Sequence, residues 1–147
     1  MLVDEADTKQ LLSNLALAGN TVYVATVDQQ FTLAKMSYPL GVPDGNGTGE
    51  IVALNLATGK VEWNTDVPSY PLGAATVSND LVFTTLYTGV LIALDRITGA
   101  IVYRRKLPTS ANAPIAIAGN SILVPAGGPN VFGTKGGSPQ LVVYTVR

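Results

Sequence analysis

The sequence contains no cysteine and no histidine among its 147 residues. These two absences exclude disulfide bonds, thiolate and imidazole metal ligands, a cysteine nucleophile and any catalytic triad that needs histidine. A metal site in this chain would have to be built from oxygen ligands, which favours a hard cation such as calcium.

Charge is also scarce. Charged residues make up 13% of the chain, and the net charge is −1, whereas about 25% is typical of soluble domains. Because there is no basic stripe, we expect no nucleic-acid partner. No apolar run approaches the ~20 residues that a membrane helix needs, so we expect no membrane span. The acidic residues 1–7 do not have the pattern of a signal peptide.

What the chain does have is apolar residues, 47% of the total, together with 15 glycines and 9 prolines. This composition is typical of a compact, turn-rich β protein rather than a disordered one. A repeated unit organises it: Gly49 recurs as Gly89, and Pro68 recurs as Pro108, each forty residues later. A fixed period of this size indicates a repeat architecture.

Each repeat contains short β segments separated by two kinds of turn. The pair Gly19-Asn20 predicts a tight hairpin, and similar pairs recur in the later repeats. A Thr-Gly pair predicts the second turn, at 58–59 and again at 98–99. There, the side chain of Asn55 or Asp95 can accept hydrogen bonds from the turn backbone, and glycine allows a positive φ.

Four short antiparallel strands in a repeat of this length predict a propeller blade. We therefore predict an all-β fold, a partial β-propeller of about three four-stranded antiparallel blades, of which the last is incomplete. Residues 1–14 are expected to form an N-terminal arm or a short helical turn. The predicted propeller covers 15–147, with blades at 15–71, 72–112 and 113–147 and an inserted loop at 28–48 in the first.

The third blade has no predicted fourth strand. Three explanations remain open: the chain is part of a larger propeller, several chains assemble into a ring, or residues 1–14 complete the open blade. Since an open arc exposes blade faces, including the side of Trp63, the expected partners are the remaining blades or another copy of the chain.

The motif Ala-Leu-Asn/Asp-x-x-Thr-Gly-x-x-x-Trp resembles the docking motif of the pyrroloquinoline-quinone (PQQ) repeat of the quinoprotein dehydrogenases. The matching residues are Ala53, Asn55, Thr58, Gly59, Lys60 and Trp63, then Ala93, Asp95, Thr98 and Gly99. The similarity covers about residues 15–147 and is closest to the C-terminal portion of such propellers. It implies that Trp63 packs against the neighbouring blade, and that Tyr103, which replaces tryptophan in the second copy, packs more weakly or differently.

The resemblance implies a periplasmic or extracellular parent that oxidises an alcohol or aldose with PQQ and calcium. This chain lacks the catalytic residues of that family, and Trp63 occupies a docking position. We therefore assign no catalytic residue and expect neither activity nor a bound cofactor in the chain alone. The alternative is a non-catalytic propeller scaffold for protein–protein interaction, like the outer-membrane assembly lipoprotein.

Three further segments have a functional and a structural interpretation. The oxygen-bearing residues Asp44, Asn46, Thr48 and Glu50 have the spacing of the start of a calcium loop, although a solvated turn is the preferred interpretation. The glycine-rich run over 127–137 lacks the helix of a phosphate cradle, so a flexible loop is preferred. The basic cluster at 104–106 is expected to be solvated or to face missing blades.

Overall fold

The computed structural model describes residues 9–10, 14–28, 47–127 and 138–145. In these ranges the regular secondary structure consists of β-strands. The strands are β1 (Lys9–Gln10), β2 (Ala16–Ala18), β3 (Thr21–Asp28), β4 (Thr48–Asn55), β5 (Val61–Val67), β6 (Thr76–Ser78), β7 (Leu81–Leu86), β8 (Val90–Asp95), β9 (Ile101–Lys106), β10 (Ala116–Ala118), β11 (Ser121–Ala126) and β12 (Gln140–Thr145). Across these ranges no helix offers a segment that could cross a membrane.

The first sheet is built on the hairpin of β3 and β4, which pair over eight positions from Thr21 opposite Asn55 to Asp28 opposite Thr48. β5 pairs with the other edge of β4. β2 pairs with the start of β3, and β1 pairs with its end, at residues 27 and 28. Lys9–Gln10 is thus an extended strand in the first sheet, so these two residues neither form a helical turn nor complete the third blade.

The second and third sheets repeat the same plan, in the orders β6-β7-β8-β9 and β10-β11-β12. The register is equivalent in all three, because Asn55, Asp95 and Thr145 each pair with the first residue of the preceding long strand. The first two sheets also share a register shift, which lies between Ala53 and Leu54 in β4 and between Ala93 and Leu94 in β8. The predicted all-β partial propeller, with three strands in the described part of its third blade, is confirmed.

The core lies between the sheets, which face one another. β8 shows this clearly, because Ile92 and Leu94 pack toward the first sheet while Leu91 and Ala93 pack toward the third. Successive side chains of a strand point to opposite faces, so a strand covered on both sides must be apolar throughout. All four residues are no more than 1% exposed, and each large apolar side chain buried this way contributes about 1.5–3 kcal/mol.

Candidate functional site: the inter-blade docking turns

The first Thr-Gly turn is held by the side chain of Asn55. Its Oδ1 accepts hydrogen bonds from the backbone N–H of Ala57, the backbone N–H of Thr58 and the Thr58 hydroxyl, each at 3.1 Å. The Gly59 N–H donates to the Asn55 carbonyl at 2.8 Å. A single side-chain oxygen therefore satisfies several donors that the turn would otherwise leave unpaired.

The second turn has the same hydrogen bonds with a carboxylate as the acceptor. Asp95 Oδ1 accepts from the Ile97 N–H at 3.0 Å, the Thr98 N–H at 2.8 Å and the Thr98 hydroxyl at 2.9 Å. The hydrogen bonds from the Thr98 backbone and hydroxyl lower the pKa of Asp95, because they stabilise its ionised form. The turn requires only an oxygen acceptor, which explains why Asn and Asp both occupy this position of the motif.

The glycines that end the two turns differ in their surroundings. Both have positive φ, 67° at Gly59 and 73° at Gly99, a conformation that other residues adopt only at a cost. A Cβ at Gly59 would meet nothing within 4 Å, whereas a Cβ at Gly99 would lie 2.6 Å from Cε3 of Trp63. Gly99 is thus needed both for its backbone conformation and for the close approach of the indole.

Trp63 joins the first sheet to the second. Its Nε1 donates a hydrogen bond of 3.0 Å to the carbonyl of Arg96, in the second turn. The Thr65 hydroxyl, two residues along the same strand, donates to the carbonyl of Gly99 at 2.7 Å. Trp63 therefore lies over a turn of the neighbouring sheet, and the expectation that an open arc would expose its side is wrong.

Tyr23, on β3 of the first sheet, completes this contact. Its ring centroid lies 5.9 Å from that of Trp63, with the planes tilted by 42°. Its hydroxyl donates to the Arg96 carbonyl at 3.5 Å. Burial raises the pKa of Tyr23, so its phenol stays protonated and able to donate at neutral pH.

Tyr103 occupies the position of Trp63 in the second repeat, since it pairs with Ala93 as Trp63 pairs with Ala53. Its surroundings are different, because Tyr103 is 47% exposed. The described part of the third sheet ends at Thr145, the counterpart of Asn55 and Asp95, before any counterpart of Gly99. Among the described blades, Trp63 therefore forms this contact once, and Tyr103 faces solvent.

The predicted calcium residues do not form a loop where the structure describes them. Thr48 and Glu50 belong to β4, which begins at Thr48, whereas the sequence pattern predicted this strand over 51–55. Asp44 and Asn46 lie outside the described residues. The Thr48 hydroxyl donates to the Asp28 carboxylate at 3.5 Å. Glu50 is 3% exposed and accepts a hydrogen bond from the Asn64 amide at 3.3 Å.

In the described ranges, no three acidic side chains come together as a metal site would require. Thr48 and Glu50, the described members of the predicted calcium set, are hydrogen-bonded to Asp28 and Asn64, and the calcium loop stays a prediction. Gly127 is the one described residue of the glycine-rich run. The basic cluster on β9 is exposed as predicted, and Lys106 Nζ donates to the carbonyl of Thr88 at 2.7 Å.

Sequence reasoning did not identify Thr65, Tyr23 or the carbonyl of Arg96 as parts of the contact. Residues 63 and 65 lie on one face of β5, so alternation along the strand was an available signal for Thr65. No equivalent signal existed for the carbonyl of Arg96, because any residue provides one.

The three antiparallel sheets have equivalent register and pack face to face, and Trp63 of the first sheet lies on a turn of the second. This arrangement defines a partial β-propeller of the PQQ-repeat type. Residues 4–143 match the family PQQ_2, described as "Outer membrane protein assembly factor BamB", and the chain belongs to this family. A search of curated protein sequences gave no match.

Solved structures similar to this chain include BamB and two dehydrogenases. BamB from Moraxella catarrhalis aligns with 20% identity and a TM-score of 0.55, over 81% of this chain and 31% of that one. A europium-containing methanol dehydrogenase aligns with 16% identity and a TM-score of 0.60, over 93% and 24%. The quinohemoprotein alcohol dehydrogenase from Comamonas testosteroni aligns with 15% identity and a TM-score of 0.57, over 84% and 18%.

At these identities the similarity shows a shared fold. The chain spans less than a third of the length of each of these three structures. Because BamB and the dehydrogenases share this fold, the blades alone do not separate a binding function from a catalytic one.

Proposed function

We propose that this chain is a blade segment of a non-catalytic propeller scaffold, acting in the periplasm or at the outer membrane, whose function is to hold protein partners. The observation that carries this proposal is the match of residues 4–143 to a family described as an outer-membrane protein assembly factor. The one tryptophan of the chain lies on the second turn and donates its indole N–H to the Arg96 carbonyl, so it acts as a structural contact between blades.

The polar groups of the motif support the same assignment. The side chains of Asn55, Asp95 and Thr98 are engaged within their own turns, and Thr65 is engaged with the neighbouring turn. These groups stabilise the arc and leave its loops and outer surfaces for binding. On rigid scaffolds, binding residues concentrate on such loops.

The second candidate is that the parent protein is a quinone-dependent dehydrogenase that oxidises an alcohol or an aldose. The overlap of 93% of this chain with a methanol dehydrogenase favours it. In that case this chain would contribute blades, and other parts of the parent would supply the residues for PQQ and calcium.

Quinone binding by the intact parent separates the two candidates. The parent is incubated with PQQ, with and without calcium, then desalted, and the absorbance of retained quinone and the alcohol-dependent reduction of a dye are measured. A quinoprotein dehydrogenase treated in parallel is the positive control. The scaffold proposal expects no retained quinone and no dye reduction, and retention with activity would overturn it in favour of the dehydrogenase.

A further inference from the structure

The second sheet ends in a strand whose outer edge has no partner strand among the described residues. β9 pairs with β8 on one side and is the last strand in the order β6-β7-β8-β9. Its residues 102–106 are all exposed. The backbone N–H and C=O groups along such an edge can pair with another extended chain.

This edge lies at the outside of the propeller. The first strands of the first two blades, β2 and β6, contact each other, so the axis lies at that end of the second sheet and β9 lies at the other. Neighbouring blades pack on the two faces of a sheet, and the second sheet already packs on the first and on the third. Further blades of a ring lie beside the first or the third sheet, so completing the ring does not cover the outer edge of β9.

Two basic side chains line one side of this edge. Arg104 pairs with Ile92, and Lys106 pairs with Val90. Both partners pack into the core between the first two sheets, and directly opposite residues share a face, so both cations lie on the side of the first sheet. Lys106 Nζ donates to the Thr88 carbonyl at 2.7 Å. Arg104 has no hydrogen bond or ion pair among the described residues, so its guanidinium, a planar fork of donors that matches a carboxylate, is available.

These charges belong to this blade and are not required by the repeat. In β5, the equivalent outer strand, the residues at the same positions are Asn64 and Asp66. Like charges hinder the pairing of β9 with β9 of a second copy, since that pairing would bring basic side chains together. A strand that carries carboxylates reverses the sign of this interaction, because opposite charges across a pair of strands attract.

We propose that the outer edge of β9 binds an extended acidic segment of a partner protein, which adds a fifth strand to the second blade. The segment carries carboxylates two residues apart, because such side chains share one face of a strand, and these face Arg104 and Lys106. Main-chain hydrogen bonds supply the affinity, and the opposite charges supply the specificity. This inference rests on the proposed function, since it names the class of partner that the scaffold holds.

The test titrates the intact parent into a fluorescently labelled peptide, Thr-Glu-Val-Glu-Val-Glu-Thr, from about 1 to 300 µM, a range that measures micromolar dissociation constants by anisotropy. Saturable binding is expected. The peptide with lysine in place of each glutamate is the charge control and should bind at least fivefold more weakly. The absence of saturable binding by the acidic peptide would overturn the proposal.

Methylated peptides distinguish strand pairing from attraction between charges. A strand offers the N–H groups of alternate residues to one neighbour. Methylating one alternate set of backbone nitrogens in the acidic peptide should therefore abolish binding, and methylating the other set should leave it. Equal binding by both methylated peptides and by the parent peptide would show attraction between charges alone and would overturn the added strand.

Substitutions in the protein locate the site. Arg104→Glu should weaken binding of the acidic peptide about fivefold, since it turns an attractive cross-strand pair into a repulsive one, and it should strengthen binding of the lysine peptide. Lys60→Glu, at an exposed position in the first Thr-Gly turn, is the matched control and should bind like the unmodified parent. Equal losses in both variants would mean that net charge is responsible and that the site is wrong.

Two further measurements complete the test. Arg104→Gln should show a smaller loss than Arg104→Glu, and an unchanged circular dichroism spectrum checks that each variant folds. Binding of phosphatidylglycerol vesicles that depends on Arg104, without binding of the acidic peptide, would assign the edge to a membrane surface and overturn the proposal.

The same parent preparation is assayed for retained quinone, so that the two proposals fail separately. No retained quinone and no peptide binding would overturn this inference and leave the scaffold with a different partner. Retained quinone with dye reduction would overturn the scaffold proposal, and the peptide titration would then report on the edge of β9 alone.

Discussion

Replacing Gly99 with alanine, and comparing the result with the same change at Gly59, measures how strongly the two blades are joined. The two glycines share a positive φ, 73° at Gly99 and 67° at Gly59, so an alanine at either position has the same backbone strain. Only Gly99 has a neighbour, because a Cβ there would lie 2.6 Å from Cε3 and 2.7 Å from Cδ2 of Trp63. The difference between the variants therefore isolates the packing of the indole.

The magnitudes follow from these contacts. Left-handed backbone costs an alanine about 1–2 kcal/mol, which is the whole loss expected for Gly59→Ala. Gly99→Ala adds the cost of overpacking, about 1–3 kcal/mol. The ring cannot move aside freely, because its Nε1 is hydrogen-bonded to the Arg96 carbonyl at 3.0 Å. We therefore expect a total loss of about 2–5 kcal/mol for Gly99→Ala.

Urea unfolding followed by circular dichroism and by the fluorescence of the one tryptophan measures both losses, at a single protein concentration. With a urea dependence of about 1–3 kcal/mol/M, the additional loss in Gly99→Ala should lower its midpoint by on the order of 1 M relative to Gly59→Ala. The emission of Trp63 should also shift to the red in Gly99→Ala alone. Equal midpoints with unshifted emission in both variants would refute the inference that Trp63 docks on this turn.

Three further outcomes are expected from single substitutions. Trp63→Phe removes the indole donor and should cost about 0.5–1.5 kcal/mol beyond the lost ring area, measured by urea unfolding with circular dichroism; an unchanged midpoint would contradict the hydrogen bond to Arg96. Thr65→Val removes the 2.7 Å bond to the Gly99 carbonyl and should cost a similar amount, whereas a more stable variant would contradict it. The pKa of Asp95 is lowered from 3.8 in the folded state, so its stabilisation is present above that pH and is lost as the pH falls through the lowered value. In Asp95→Asn, which copies Asn55, the midpoint temperature should therefore fall less on acidification, and an identical pH profile would contradict this cause.

Much of the fold was predictable because its signals are local. The Thr-Gly pairs and the Asn or Asp four residues before each glycine depend on neighbours within one turn, and the forty-residue period repeats this local pattern. The structure shows the same hydrogen bonds in both turns. The three-residue extension of β4 was not predicted, because the residues from Thr48 to Glu50 are polar or glycine and become a strand only by pairing with the end of β3.

The site was predictable to a smaller extent. The resemblance implied the docking role of Trp63. It did not identify the Arg96 carbonyl or Thr65, because the motif does not include them. We predicted that an open arc would expose the side of the first blade that carries Trp63. This prediction was wrong, because the sequence does not indicate which face of a blade its neighbour covers.

The repeat, the strand order and the chemistry of the turns were determined by the sequence alone, because residues close together in the chain set a turn and strand alternation sets two faces. Only the tertiary structure decided which of these equivalent positions are covered. Ile51 and Leu141 hold the same place in their blades, yet one is 0% exposed and the other 61%. The physical reason is that burial depends on the presence of a neighbouring sheet, and that neighbour comes from a distant part of the chain.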